Sequence, residues 1–251
     1  MLSYLIKACV CGNDWDFNRF FRHSIDIMEC KNCGIYHQRV EMDDFDYRNF
    51  YATNYHDNYQ TSQGQRSYFT RYDHDVNLAN MRLTAYFEKI EENVRDGGRL
   101  LDVGSGNGAF VDTAREFGLD AWGVEPNPKI ANKDRTYIGS IEHQNFKHES
   151  WDIITQHDVF EHFVNPVTIL VECYRILKPG GFLIVDFPNF FVPEGHHHWR
   201  PIEHLWMFTQ KQLKNLLVKY KFQVKYTYQP IPSKLVYYAQ KPKGKPKEEP
   251  R

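Results

Sequence analysis

The stretch LDVGSGNGAF, Leu101–Phe110, decides how this chain is read. An apolar run enters it, Gly104, Gly106 and Gly108 alternate through its middle, and a helical pattern leaves it. A strand, a bare-backbone turn and a helix are implied, with helix N–H groups facing a ligand that the missing Cβ atoms let approach closely. Taken literally, GSGNGA fits the dinucleotide pattern G-x-G-x-x-G/A, with Glu125 about 20 residues on as the ribose acid. Asp102 argues against a diphosphate there, because a negative charge sits poorly beside a pyrophosphate and well beside an ammonium or sulfonium group.

Working outward from the glycines, short apolar runs alternate with helical patterns, which predicts an α/β fold with a parallel sheet. RLLDVG, AWGVE, a weak YIGSI, WDIITQHD and FLIVDFPN read as five strands in order. FQVKYTY and KLVYYAQ read as a terminal antiparallel pair, giving a Rossmann-like, doubly wound sheet of about seven strands. Upstream, Val76, Ala79, Leu83, Phe87, Ile90 and Val94 form one helical stripe, stopped at Asp96-Gly97-Gly98. Asn165 and Pro166 open a helix that presents Leu170, Cys173 and Leu177 and is expected to end at Pro179-Gly180-Gly181. Thr209 and Gln212 form a capping-box pattern for another. The expected organisation is a cysteine module at 1–45, an aromatic connector or lid at 46–75, the α/β domain at 76–240 and a disordered tail at 241–251.

The chain has 251 residues, a formal net charge of -1 and 41% hydrophobic residues. That balance supplies no field for gripping a polyanion, so nucleic acid is disfavoured as the main ligand. With no run near the roughly 18 apolar residues of a spanning helix, no membrane partner and a cytoplasmic location are expected.

Four ordered motifs carry a resemblance over about Arg99–Phe222. LDVGSGNG, GVEPN, WDIITQHDVFEHFVNP and LKPGGFLIVDFPN resemble, in sequence and spacing, the class I S-adenosylmethionine-dependent methyltransferases. The resemblance implies S-adenosylmethionine as cofactor, with Gly104, Ser105, Gly106 and Gly108 beneath its methionine and ribose parts and Asp102 near the methionine amino group. It implies Glu125, beside Pro126 and Asn127, as acceptor of the two ribose hydroxyls, Ser140 and Ile141 against the adenine, and His157 and Asp158 at the methyl-transfer centre.

Four of the five cysteines crowd into the first 33 residues, which suggests a metal site more than a disulfide framework. Cys30 and Cys33 in CKNCG have the spacing of a metal knuckle; Cys9 and Cys11 in CVCG are one residue apart and fit less well. Methyltransferases associated with sugar and polysaccharide biosynthesis resemble this chain in carrying two C-x-x-C pairs ahead of the core, and Ala8 stands where the first of those cysteines would fall. A structural zinc on Cys9, Cys11, Cys30 and Cys33 is expected, with His23 or His37 as alternative fourth ligands. Cys173 reads as core.

An alcohol acceptor must lose a proton, and two clusters offer a base. In HDVFEH, His157 is a candidate, while Glu161 and His162 read as structural or cofactor-side. In EGHHHWRPIEHLWMFT, Glu203 and His204 are the leading acid/base pair, and His196, His197 and His198 read as a solvated or substrate-facing loop. Pro201 stands where related sugar C-methyltransferases carry a Tyr, which favours oxygen over carbon as the target. Tyr51, Tyr55 and Tyr59 are candidates for a lid. The function expected is methyl transfer to an oxygen of a small polar acceptor, with a nucleotide-linked sugar as one candidate. A catalytically silent cofactor-binding or interaction protein, a nucleic-acid methyltransferase and a nicotinamide oxidoreductase are the alternatives.

Overall fold

The computed structural model describes residues 4–12, 16–53, 71–90, 97–132 and 134–244. At the amino end, β1 (Phe17–Arg22) and β2 (Ile25–Cys30) form a hairpin. It turns on His23 and Ser24, both at positive φ, the geometry that matches the twist of paired strands. β3 (Tyr36–Gln38) pairs with β2, and α1 (Asp44–Asn49) follows, capped by the Asp43 carboxylate on Asp46 N–H. The long helix α2 (Tyr72–Phe87) realises the first part of the predicted stripe and buries Ala79, Leu83 and Tyr86. Val94, Tyr55 and Tyr59 lie outside the described residues.

The glycine stretch folds as expected. β4 (Arg99–Val103) runs into the turn, α3 (Ala109–Glu116) leaves it, and Gly118 at φ 88 ends the helix. β5 (Asp120–Glu125), β6 (Thr136–Ile138) and β7 (Trp151–His157) come next. β6 is shorter than YIGSI because Gly139 turns away at φ 115, which puts Ile141 into a 3₁₀ turn, Ile141–His143. α4 (Pro166–Ile176) is capped by Asn165, whose side chain accepts from Thr168 N–H. The sequence placed its end at Pro179-Gly180-Gly181; in the structure it stops at Ile176 and those residues belong to β8 (Leu177–Pro188). The carbonyls of Arg175 and Ile176 accept from Glu149 and Ser150 N–H, and Trp151 pairs with Leu177, so edge pairing replaces the last helical turn.

β9 (Trp206–Met207), α5 (Gln210–Lys219) with its Thr209–Gln212 capping box, and the antiparallel pair β10 (Gln223–Tyr228) and β11 (Lys234–Gln240) complete the chain. Lys241, first residue of the expected tail, is buried and donates from Nζ to the Leu177 carbonyl; 245–251 lie outside the described residues.

Seven strands form one mixed sheet in the order β10-β11-β8-β7-β4-β5-β6. Helices α2 and α3 pack on one face and α4 and α5 on the other, which is the doubly wound, Rossmann-like arrangement read from the sequence. The order reverses at β4, whose neighbours β5 and β7 lie on opposite sides, and ligands of such sheets bind outside the carboxyl ends at that point. The amino-terminal sheet, β1-β2-β3-β9, takes its last strand from the segment after β8. Among the described residues, no helix is long and apolar enough to cross a membrane.

Candidate functional site

A cavity of about 560 Å³ opens at the carboxyl ends of β4, β5, β6 and β7. Of the residues expected to hold cofactor, Gly104, Glu125, Pro126, Ser140, Ile141 and Asp158 line it. Asp102, Ser105, Gly106, Gly108, Asn127 and His157 are not among its lining residues, nor are Glu203 and His204. Gly104 is required twice over: its φ is +78°, and a Cβ there would stand 2.4 Å from the Val159 side chain. Tyr47, Arg48, Tyr51 and Ala52 close one side; of these, Tyr51 is one of the three tyrosines singled out as lid candidates. Arg48 bonds Glu142 in the 3₁₀ turn after β6, and Tyr47 O–H donates to the His162 carbonyl, so α1 is tied across the cavity mouth.

Glu125 ends β5 with its carboxylate buried. Oε2 accepts from Gly106 N–H at 3.0 Å and Oε1 from Asn127 N–H at 2.9 Å. Each oxygen keeps a lone pair for a further donor. Burial pushes this carboxyl up to about 7, and the two backbone bonds oppose that rise. A buried acid that gains from two more donors, bare glycine backbone and a cavity of this size fit the adenosyl end of S-adenosylmethionine.

Asp102 is bonded within the protein. It accepts from Thr155 Oγ1 at 2.7 Å and lies 3.1 Å from His157 Nδ1, while His157 Nε2 is 2.8 Å from the Tyr86 hydroxyl. Burial holds His157 below its usual range, so the ring is neutral, with Nδ1–H donating to Asp102 and Nε2 accepting from Tyr86. Both nitrogens are engaged, and as placed His157 orients Asp102 and has no nitrogen for an acceptor's proton.

A second buried group gathers beside the cavity. Glu161 and His162 lie on a 3₁₀ turn after β7, and Glu203 and His204 on the loop before β9. Among these four, His162 lines the cavity. Its Nδ1 is 2.6 Å from the Tyr51 hydroxyl and 2.7 Å from the Glu203 carbonyl. Burial drives the Glu161 carboxyl well above the carboxylate range and both imidazoles below theirs. His197 and His196 stay exposed, whereas His198 is buried.

What holds the His204 loop is a residue the sequence gave no reason to notice. Gln38, on β3, is buried; its Nε2 donates to the carbonyls of Arg200 and, at 2.6 Å, His204, and its Oε1 accepts from Ile202 N–H at 2.9 Å. Ile202 has φ 65, a costly region for a β-branched residue, so the loop needs that clamp. No local pattern announces such a contact, because its partners lie more than 160 positions away. Replacing Gln38 by Leu (Gln38→Leu) is expected to cost about 2–4 kcal/mol through the orphaned backbone groups. Faster amide exchange at 200–204, with donor affinity unchanged, is the result that checks it.

The four amino-terminal cysteines meet. Cys9 and Cys33 sulfurs are 3.5 Å apart, Cys11 and Cys30 sulfurs 3.6 Å, and all four lie within 4.8 Å of one another, with no disulfide. Tetrahedral zinc with about 2.3 Å bonds sets sulfurs roughly 3.8 Å apart, so the set fits that ion closely. The one-residue spacing of Cys9 and Cys11 is accommodated by the turn in which Gly12 N–H bonds the Cys9 carbonyl. His37 instead packs between Phe17 and Trp206. α5 braces the knuckle, with Gln212 donating to the Cys33 carbonyl and Lys219 to that of Cys11.

Residues 72–227 match the methyltransferase domain family, more than half of the chain. The chain belongs to that family. It carries a class I S-adenosylmethionine-dependent methyltransferase domain, as the motifs implied. Among curated relatives, this methyltransferase is 31% identical over 123 residues to the ubiquinone biosynthesis O-methyltransferase of Maricaulis maris, covering 43% of this chain and 48% of the relative. Its counterpart from Cereibacter sphaeroides is 26% identical over 132 residues, covering 41% and 53%. The chain thus spans about half the length of the curated relatives it matches. Its fold is shared with a methyltransferase of Archaeoglobus fulgidus, at TM-score 0.57 and 15% identity over 73% of this chain and 98% of that one. A chain from the complex between the Haloferax volcanii Trm112 methyltransferase activator and a methyltransferase aligns at TM-score 0.56 and 16% identity, covering 78% and 97%.

Proposed function

We propose that the methyltransferase transfers a methyl group from S-adenosylmethionine to a hydroxyl oxygen of a small polar acceptor. The observation that carries this reading is the single cavity that joins Gly104 and Glu125 at one wall to His162 at another. The bound cofactor supplies an electrophilic methyl group on a sulfonium. Glu125 receives the ribose hydroxyls, and Ser140 and Ile141 flank the adenine. Gly104 admits the methionine end. Tyr51 and Phe163, both on the cavity lining, keep water from the transfer. The acceptor's proton falls to the cluster of Glu161, His162, Glu203 and His204, of which His162 alone lines the cavity. Names of the relatives speak for oxygen as the target; a nucleotide-linked sugar and a phenol both meet the chemistry. The cysteine set is proposed to hold a structural zinc, since four protein sulfurs leave no position for a substrate.

Calorimetry with S-adenosylmethionine tests the cofactor, and labelled donor with a panel of nucleotide sugars and phenols tests the transfer. A methyl ether in any arm is the expected product. Absence of donor binding at millimolar concentration would sink the reading, and binding without turnover on every acceptor would favour a silent cofactor-binding protein.

A further inference from the structure

We propose that Glu161, His162 and His204 hold a divalent transition-metal ion, at a site separate from the four cysteines. Glu161 is fully buried, and among the described residues neither carboxylate oxygen has a hydrogen-bond partner. A carboxylate in that position needs a donor or a cation. The two imidazoles are turned toward it. His162 Nδ1 lies 2.7 Å from the Glu203 carbonyl and His204 Nδ1 lies 2.5 Å from that of His198. A carbonyl only accepts, so Nδ1 carries the hydrogen in His204; at His162 the Tyr51 hydroxyl donates to the same Glu203 carbonyl at 3.1 Å, so Nδ1–H faces two oxygens, and in both neutral rings the lone pair then falls on Nε2.

Both Nε2 atoms stand 3.8 Å from the same Glu161 oxygen, beyond hydrogen-bond range. A protonated Glu161 has one hydrogen and two such nitrogens before it. An ion serves all three groups at once. Their donor atoms lie within 4.8 Å of one another. Bonds of about 2.0–2.2 Å from nitrogen and oxygen place neighbouring ligand atoms roughly 3–3.5 Å apart, so the set closes on an ion when the three side chains draw in, by up to about 1 Å for the most separated pair. Carbonyl bonds at Nδ1 are how metal-binding histidines are oriented. Two imidazoles and a carboxylate suit zinc, iron, manganese or cobalt. Glu203, with Oε1 3.7 Å from His204 Nε2 and 3.3 Å from the Arg200 guanidinium, is the outer neighbour.

Three protein ligands leave positions open, and His162 lies on the cavity wall. There the ion takes the acceptor's hydroxyl oxygen as a further ligand, a role that rests on the methyl-transfer reading. The ion's presence does not.

Metal-free protein titrated with cobalt(II) tests the proposal, because thiolate ligands give near-ultraviolet charge-transfer bands that nitrogen and oxygen ligands lack. Wild type is expected to bind about two equivalents, one with thiolate bands and one without. Glu161→Gln and His204→Ala should each abolish only the second and leave the thiolate-banded equivalent in place. Retention of the thiolate-banded equivalent reports that a variant has folded. If a variant does not fold, the wild-type stoichiometry decides. Saturation of wild type at a single thiolate-banded equivalent overturns the proposal, as does a second equivalent that survives in both variants. Calorimetry of S-adenosylmethionine on the same preparations reads the methyl-transfer proposal separately.

Discussion

Replacing Cys30 and Cys33 together (Cys30→Ser, Cys33→Ser) is expected to abolish binding of the zinc proposed for the four cysteines and melt the amino-terminal sheet. Cys30 ends β2 and is wholly buried, and both cysteines belong to a loop held by the Gly34 N–H bond to the Cys30 carbonyl at 2.7 Å. Without a cation, burial pushes the Cys9 thiol far above its ordinary range, so an ion on the four sulfurs would be what allows thiolates to persist there. Structural zinc contributes about 10–16 kcal/mol of apparent binding energy in small modules, all of which is folding energy for β1, β2 and β3. The loss should travel further. β3 pairs with β9 and carries Gln38, so freeing it releases the His204 loop while leaving the seven-stranded sheet in place. Hydrogen exchange checks this: amides of 17–38 and 200–205 should lose protection, those of β4 and β7 should keep it, and donor affinity should fall by less than about threefold because Gly104 and Glu125 stay in place on the seven-stranded sheet. Unchanged protection of β2 in the variant would rule out the metal as its support.

The contrast between those two regions shows what the chain states locally and what it states only in three dimensions. The seven-stranded sheet was legible because period, glycine turn and caps agree: Asn165 and Thr209 cap the helices they were expected to open. β8 was misplaced at its start because Pro179-Gly180-Gly181 looks like a helix stop, whereas pairing to β7 and β11 governs the backbone there. Among candidate site residues, the placing of Gly104 and Glu125 beside one cavity follows from the strand-turn-helix pattern. The neighbours of Asp102 and His157 do not, since Thr155 and Tyr86 come from a neighbouring strand and a preceding helix. The same holds for His162, whose carbonyl neighbour, Glu203, lies 41 positions on.

Glu125→Ala is expected to weaken S-adenosylmethionine binding by about 100-fold or more, since charge-assisted bonds to two hydroxyls are worth about 1.5–3 kcal/mol each. Glu125→Gln keeps one acceptor oxygen and separates charge from shape. The wild-type carboxyl, raised to about 7 by burial, adds a pH signature. In the free protein it is protonated below that value, and donation from two ribose hydroxyls favours the ionised form. Binding therefore expels a proton as pH falls below about 7, and affinity should drop about tenfold between pH 8 and pH 6. Glu125→Gln should flatten that dependence. Stability follows the opposite sense, because the folded state binds the extra proton between the ordinary carboxylate pKa and about 7, so this residue's contribution declines as pH rises through that window. Calorimetry in buffers of different ionisation enthalpy measures the proton released; a pH-independent affinity in wild type would mean that Glu125 does not meet the ribose.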